Sequence, residues 1–174
     1  MRVLITGPNA CGKSIFAENL IQENENILGY VGTLPVVPMY YEKIARHRSR
    51  RQKEWKLLEI SGSMAEDINR LKLLFSYGYP ILLDGLSVML WRSCECSTNP
   101  SWHLDIERFS ASFLRIISEA KSDWIIVDTD NAYKSTSDIS EKYFNEIALN
   151  IHNNILLYNI DSYHIKYQSV INNI

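Results

Sequence analysis

The chain has 174 residues, 46% of them hydrophobic and 22% charged, which is typical of one globular domain with a sizeable core. Its formal net charge of −2 argues against a protein that coats nucleic acid, so the cationic run RHRSRRQK at 46–53 is a local feature. Three cysteines without a regular framework are typical of a reducing compartment, and no apolar run is long enough to cross a membrane. We therefore expect a cytoplasmic protein without a membrane span, with a single domain over residues 1–174.

Apolar, β-rich runs alternate with helical patterns along the chain. The runs predict strands at 3–6, 27–33, 55–60, 80–85, 124–129 and 154–160. The helical patterns lie at 13–23, about 39–53, 64–76, about 103–120 and 138–152. Loops are expected at 93–101 and 130–138, and the tail from residue 163 shows no readable pattern. The alternation predicts an α/β fold, a mostly parallel central sheet with helices on both faces.

The first loop, GPNACGKS at 7–14, fits the motif G-x-x-x-x-G-K-[ST] between a short strand and a helix. Backbone N–H groups of such a loop, together with the helix N-terminus, bind phosphate oxygens. Lys13 would reach the β- and γ-phosphates, and the Ser14 hydroxyl would bind Mg²⁺. The alternative is a glycine-rich turn with an incidental lysine. The context favours a P-loop NTPase-like fold whose nucleotide site comprises Gly7, Pro8, Asn9, Ala10, Cys11, Gly12, Lys13 and Ser14.

Asp84 ends the apolar run PILLDG, where a Walker-B carboxylate would help Ser14 to hold the metal. An aspartate at a strand end is also common as a turn or capping residue. Asp128 and Asp130, after a later strand, are weaker candidates for the same role.

The helix predicted at 39–53 carries two stripes of side chains at three- and four-residue spacing. One is purely cationic and most simply solvated: Lys43, Arg46, Arg50 and Lys53. The other is mixed, and in it His47 follows Ile44 and precedes Arg51 and Trp55. A histidine on such a face is often a packed core residue. Neighbouring cations would instead keep it neutral and nucleophilic, as a covalent nucleotide carrier requires.

The chain resembles the bifunctional adenosylcobinamide kinase / adenosylcobinamide-phosphate guanylyltransferase family of cobalamin biosynthesis. The spaced pattern I-x-x-H-R-x-x-R-x-x-x-W-x-x-x-E, from Ile44 to Glu59, is the most specific part of the resemblance. The other matching elements are GKS followed by Ala17 and Glu18, Tyr30 with Thr33, and Leu82-Leu83-Asp84.

The resemblance implies a trimeric P-loop transferase that phosphorylates adenosylcobinamide, a corrinoid, with ATP or GTP. It also implies a second step, in which GMP passes from GTP through a guanylylated histidine to give adenosylcobinamide-GDP. His47 occupies the place of that histidine and, with Lys13, would be catalytic. The positions that fall where the family contacts the guanine nucleotide are Gly32, Thr33, Arg48, Arg51 and Glu59.

Departures from the family pattern keep other functions open. Arg92 replaces an asparagine of the family, and the glycines expected near residue 130 are missing. The chain could therefore be a P-loop small-molecule kinase without guanylyltransferase activity, or a nucleotide-binding regulatory protein without turnover. A nucleic-acid-binding role for the basic run is disfavoured, because aromatic residues do not interleave with the cations.

Overall fold

The computed structural model describes residues 1–22, 28–50, 54–95, 101–129, 139–158, 160–166 and 169–173. The strands are Arg2–Thr6 (β1), Gly29–Gly32 (β2), Lys56–Glu59 (β3), Ile81–Asp84 (β4), Trp124–Val127 (β5), Asp161–Lys166 (β6) and Ser169–Asn173 (β7). The helices are Lys13–Gln22 (α1), Tyr41–Arg50 (α2), Met64–Ser76 (α3), Leu86–Glu95 (α4), Trp102–Glu119 (α5) and Ile139–Leu156 (α6). A short 3₁₀ turn, Pro38–Tyr40, leads into α2.

All seven strands belong to one sheet in the order β3-β2-β4-β5-β1-β6-β7. The first six are parallel, and β7 returns antiparallel to β6. Parallel register aligns the carboxyl ends of neighbouring strands, so Gly32 lies beside both Glu59 and Asp84. The predicted mostly parallel α/β fold is confirmed, and the predicted site residues at strand ends lie along one edge.

The buried apolar side chains form two clusters, one on each face of the sheet. Successive strand residues face opposite sides, and Leu82 belongs to one cluster while its neighbours Ile81 and Leu83 belong to the other. The larger cluster packs α3, α4, α5 and α6 against the sheet, and the smaller cluster packs α1. Helices therefore cover both faces, as the continuous apolar strands predicted.

The prediction for residues 154–160 is wrong, because 154–158 and 160, the residues described in this segment, do not form a strand. Residues 154–156 complete α6, and a turn follows at 157–158. The buried positions Ile147, Ile151 and Ile155 continue the four-residue spacing of the helix, which explains why the apolar run begins as helix. The sixth strand lies further on, in the tail that showed no readable pattern.

Two helix predictions also need correction. The single helix predicted at 39–53 begins as the 3₁₀ turn and continues as α2 to Arg50, and residues 51–53 lie outside the described residues. Helix α4 was not predicted, and its last residues, 93–95, fall in a segment expected to be a loop. The loop predicted at 130–138 lies outside the described residues, with Asp130.

Strand β6 closes tightly over the start of the phosphate loop. Gly7 has φ +147°, and a Cβ atom on it would lie 2.3 Å from the backbone oxygen of Ile165. Only glycine fits this close approach, so the first glycine of the motif is required by packing as well as by loop conformation. In the part of the chain that the structure describes, no helix is long and apolar enough to cross a membrane.

Candidate nucleotide and histidine site

The phosphate loop joins β1 to α1, and Lys13 is the first residue of that helix. The Lys13 Nζ donates to the backbone oxygens of Gly7, at 2.8 Å, and Pro8, at 2.5 Å. The ammonium group is thus held over its own loop by carbonyl oxygens. Phosphate oxygens would take over these hydrogen bonds when a nucleotide occupies the loop.

Asp84, the last residue of β4, connects the phosphate loop to the histidine helix. The Ser14 hydroxyl donates to Asp84 Oδ1 at 2.8 Å. On the other side, the Tyr30 hydroxyl donates to Asp84 Oδ2 at 2.6 Å, and His47 Nδ1 lies 3.1 Å from that oxygen. The Thr33 hydroxyl donates to the Asp84 backbone oxygen at 2.7 Å, which fixes the strand end. A single carboxylate therefore touches both candidate catalytic regions.

The environment of Asp84 favours its ionised form. Burial alone would raise the pKa of this carboxyl, but the hydrogen bond and charge of His47, with hydrogen bonds from Tyr30 and Ser14, lower its pKa overall. A carboxylate that stays charged suits either a metal ion on the Ser14 side or a hydrogen-bonded imidazole on the other.

His47 lies on the inward face of α2, and only 8% of its surface is exposed. Ile44, one turn earlier, is also buried, so the mixed stripe faces inward as the sequence predicted. His47 lines both a cleft of about 510 Å³ above the phosphate loop and a small adjoining pocket of about 30 Å³. The histidine thus lies where the two cavities adjoin.

In the cationic stripe of α2, Lys43 and Arg46 are exposed as predicted, but the prediction of a solvated side chain is wrong for Arg50, which is half-buried. Lys43, Arg46 and Arg50 line the large cleft, together with residues 9–14 of the phosphate loop. Arg50 forms a two-bond ion pair with the buried Glu18 of α1, at 2.8 and 3.0 Å. Helix α2 therefore places positive charges across the cleft from the phosphate loop, and the ion pair between Arg50 and Glu18 joins α2 to α1.

The predicted guanine contacts are divided between two places. Gly32, Thr33 and Glu59 line the small pocket beside His47. Arg48 instead reaches Glu59 at 2.6 Å, in a pair whose two side chains are 51% and 39% exposed. Arg51, like Lys53 of the cationic stripe, lies outside the described residues. The small pocket can hold only part of a nucleotide as it stands.

Asp128, a weaker metal candidate, has structural partners. Its carboxylate accepts hydrogen bonds from the backbone N–H and hydroxyl of Ser87, at 2.9 and 2.7 Å. His152 Nε2 lies 2.7 Å from the same carboxylate. Asp128 therefore caps α4 and joins it to α6, although its position still borders the cleft.

Sequence reasoning missed three contributors to the site. The Tyr30 hydroxyl, the Glu18–Arg50 ion pair and the Arg92 guanidinium all bind residues of the cleft region. Arg92 donates to the backbone oxygens of Thr33 and Ile60, which holds two strand ends together. Tyr30 and Glu18 belong to the sequence pattern that the chain shares with the family, and this pattern could have identified both residues.

The strand order, the phosphate loop on β1 and the carboxylate at the end of β4 define an α/β protein of the P-loop NTPase-like class. The sequence profile of the cobinamide kinase / cobinamide phosphate guanyltransferase family matches residues 3–155, and the chain belongs to this family. The family is one of transferases in cobalamin biosynthesis. A comparison with curated proteins gave no match.

Proposed function

We propose that this protein phosphorylates adenosylcobinamide with ATP or GTP and then transfers GMP to the product through His47, giving adenosylcobinamide-GDP. The observation that carries the proposal is the position of His47, whose Nδ1 lies 3.1 Å from Asp84. The other oxygen of that carboxylate accepts a hydrogen bond from Ser14 of the phosphate loop. The candidate nucleophile and the phosphate loop thus share one carboxylate, which supports a histidine that is oriented beside bound phosphates.

In the guanylyl step, an imidazole nitrogen of His47 attacks the α-phosphorus of GTP. A nitrogen–phosphorus bond forms, the bond from the α-phosphorus to the bridging oxygen breaks, and pyrophosphate leaves with the electron pair. A phosphate oxygen of the phosphorylated corrinoid then attacks the same phosphorus and returns the electron pair to the imidazole. The cations of α2 that line the cleft, Lys43 and Arg46, stabilise the charge that develops on the leaving phosphates.

In the kinase step, the loop amides and Lys13 hold the nucleotide phosphates while the corrinoid hydroxyl attacks the γ-phosphorus. The bond from the γ-phosphorus to the β,γ-bridging oxygen breaks, the nucleoside diphosphate leaves with the electron pair, and the hydroxyl proton passes to solvent. Ser14 Oγ and Asp84 Oδ1, 2.8 Å apart, are hard oxygen donors of the kind that Mg²⁺ prefers and would hold that ion. When bound, Mg²⁺ neutralises charge on the phosphate oxygens. The remaining partners of Asp84, Tyr30 and His47, keep the carboxylate oriented toward the loop.

The test is labelling with GTP that carries the label on its α-phosphate. Wild-type protein with Mg²⁺ should retain label after denaturation, and a phosphoramidate makes that label acid-labile and alkali-stable. His47→Ala should retain none, while His103→Ala, a substitution on α5, should label like the wild type. Label on His47→Ala would remove His47 from the mechanism.

The same experiment separates the alternatives. Transfer of γ-phosphate to the corrinoid without labelling would indicate a kinase alone, and nucleotide binding without either transfer would indicate a regulatory protein. Lys13→Ala should lower phosphoryl transfer by at least about 100-fold, the scale of losing one essential phosphate clamp. Lys72→Ala, on the exposed surface of α3, is its control.

We also propose that the protein works as a homotrimer in the cytoplasm. Support for self-association comes from apolar side chains exposed just before and within α2, among them Val36, Met39 and Tyr41, at 58%, 78% and 53%. Light scattering coupled to size-exclusion chromatography measures the mass directly. A monomer at micromolar concentration would contradict the trimer without affecting the proposed chemistry.

A further inference from the structure

We propose that Tyr30 is a positioning residue for guanylyl transfer: through Asp84 it holds His47 in the tautomer that leaves Nε2 as the nucleophile. This inference rests on the proposed function, because it concerns the same histidine. It assigns a role to a hydroxyl that lies under the site, and it names the atom that becomes guanylylated.

Asp84 Oδ2 has two close neighbours, the Tyr30 hydroxyl and His47 Nδ1. A tyrosine hydroxyl has one proton, and Tyr30 donates it to Oδ2 at 2.6 Å. The Tyr30 oxygen, 3.3 Å from His47 Nδ1, is then an acceptor toward the imidazole. Asp84 Oδ2 is a second acceptor, at 3.1 Å. Two acceptors facing one nitrogen require that this nitrogen carry a proton.

The third neighbour of His47 Nδ1 does not reverse this assignment. Arg50 Nη2 lies 3.4 Å away, at the outer limit of a hydrogen bond. Arg50 Nη2 donates one N–H to Glu18 at 3.0 Å, and Nε donates to the other carboxylate oxygen at 2.8 Å, so the contact with His47 is the longest that this guanidinium makes here. An unprotonated Nδ1 would face the Asp84 carboxylate with its lone pair, which is unfavourable at 3.1 Å. The proton therefore lies on Nδ1, and the lone pair of the neutral imidazole lies on Nε2.

Tyr30 can impose this arrangement because it is rigid. It lies on β2 between β3 and β4, and only 1% of its surface is exposed. Its ring stacks on the buried Trp55, with 6.0 Å between centroids and 14° between planes. The phenol oxygen is thus fixed below Asp84, and Oδ2 is held where it meets Nδ1. This preorganisation acts through the carboxylate, which stands between the Tyr30 hydroxyl and the phosphate loop.

During transfer, Nε2 donates its electron pair to the α-phosphorus, pyrophosphate leaves, and the imidazole ring acquires a positive charge. The Nδ1–H bond stays intact and points at the Asp84 carboxylate, which stabilises that charge. The Tyr30 hydroxyl keeps Oδ2 in place through the step. When the acceptor phosphate attacks, the nitrogen–phosphorus bond breaks and the same neutral tautomer returns.

The experiment compares Tyr30→Phe with Tyr158→Phe. Tyr30→Phe keeps the ring stacked on Trp55 and removes only the hydroxyl. Tyr158→Phe removes a hydroxyl that bonds the Leu114 backbone oxygen, and it lies against the larger core. Rapid-quench labelling at saturating GTP should be slowed roughly 10- to 100-fold in Tyr30→Phe, the range for losing an outer-shell partner of an oriented histidine. Tyr158→Phe should label at the wild-type rate and bind GTP with unchanged affinity.

Nitrogen NMR of the imidazole rings in the nucleotide-free protein provides a readout that does not need turnover. The His47 signals are assigned by their loss in His47→Gln. They should show the Nδ1–H tautomer in wild type and a mixture of tautomers in Tyr30→Phe. A wild-type Nε2–H tautomer, or a Tyr30→Phe labelling rate equal to wild type, would overturn the inference.

The two proposals fail in different ways. If wild-type protein does not label at all, the guanylyl function fails, and the NMR tautomers alone decide whether Tyr30 positions His47. If wild type labels and Tyr30→Phe labels equally well, the function stands and the positioning role is wrong.

Discussion

At the scale of single residues, one carboxylate organises the candidate site. Asp84 receives hydrogen bonds from Ser14 on one oxygen and from Tyr30 on the other, and His47 lies against the second oxygen. The adjacent Arg50–Glu18 ion pair buries a carboxylate that is only 3% exposed. A buried charge of this kind is stable only with its partner, so removal of the partner should lower the free energy of unfolding.

Arg50→Gln should lower the free energy of unfolding by about 2 kcal/mol, somewhat less than breaking a fully buried pair, because it leaves Glu18 without its partner. The matched control is Arg115→Gln, which breaks a pair with Glu119 in which the side chains are 73% and 66% exposed. That substitution should change stability by less than about 0.5 kcal/mol. Urea denaturation of both variants measures the difference, and equal effects would show that Glu18 does not depend on Arg50.

At the scale of elements, the rotation of α2 about its axis decides which cations face the nucleotide. Ile44 and His47 are buried beneath the helix, and this places Lys43, Arg46 and Arg50 at the cleft. Arg48 is directed to Glu59 instead. Helix α2 therefore presents positive charge across the cleft from the phosphate loop.

Replacing Lys43 and Arg46 together by glutamine should weaken GTP binding roughly fivefold, on the basis of about 0.5 kcal/mol for each partly solvated charge. The loss should shrink as salt is added, because these charges are screened. Titration calorimetry at two ionic strengths measures both effects. Arg108→Gln with Arg115→Gln, which removes two exposed charges from α5, should leave GTP affinity unchanged.

At the scale of the whole molecule, stability rests on the two apolar clusters that flank the sheet. The larger cluster packs α3 to α6 on one face, and the smaller packs α1 beside the phosphate loop. Substitutions in the larger cluster should therefore affect folding and leave the site chemistry of the folded protein intact.

Leu71→Ala and Leu73→Ala form a matched pair on α3. Leu71 is fully buried in the larger cluster, while Leu73 is 55% exposed. Leu71→Ala should cost about 2–5 kcal/mol of unfolding free energy, and Leu73→Ala well under about 1 kcal/mol. Thermal unfolding measures both, and a small cost at Leu71 would contradict its place in the core.

The sequence by itself determined the α/β class, the phosphate loop, Asp84 at a strand end and His47 on a packed helix face. These features depend on local spacing, which a motif or a periodicity records directly. The tertiary structure alone decided that Asp84 joins Ser14, Tyr30 and His47, because strand register and helix placement bring together residues far apart in the chain. It also decided that Arg50 faces the cleft, since packing at Ile44 sets the rotation of α2, and that the run at 154–160 ends a helix. In that run, helical packing of isoleucines at four-residue spacing outweighs strand propensity. The apolar run read by itself does not reveal this packing.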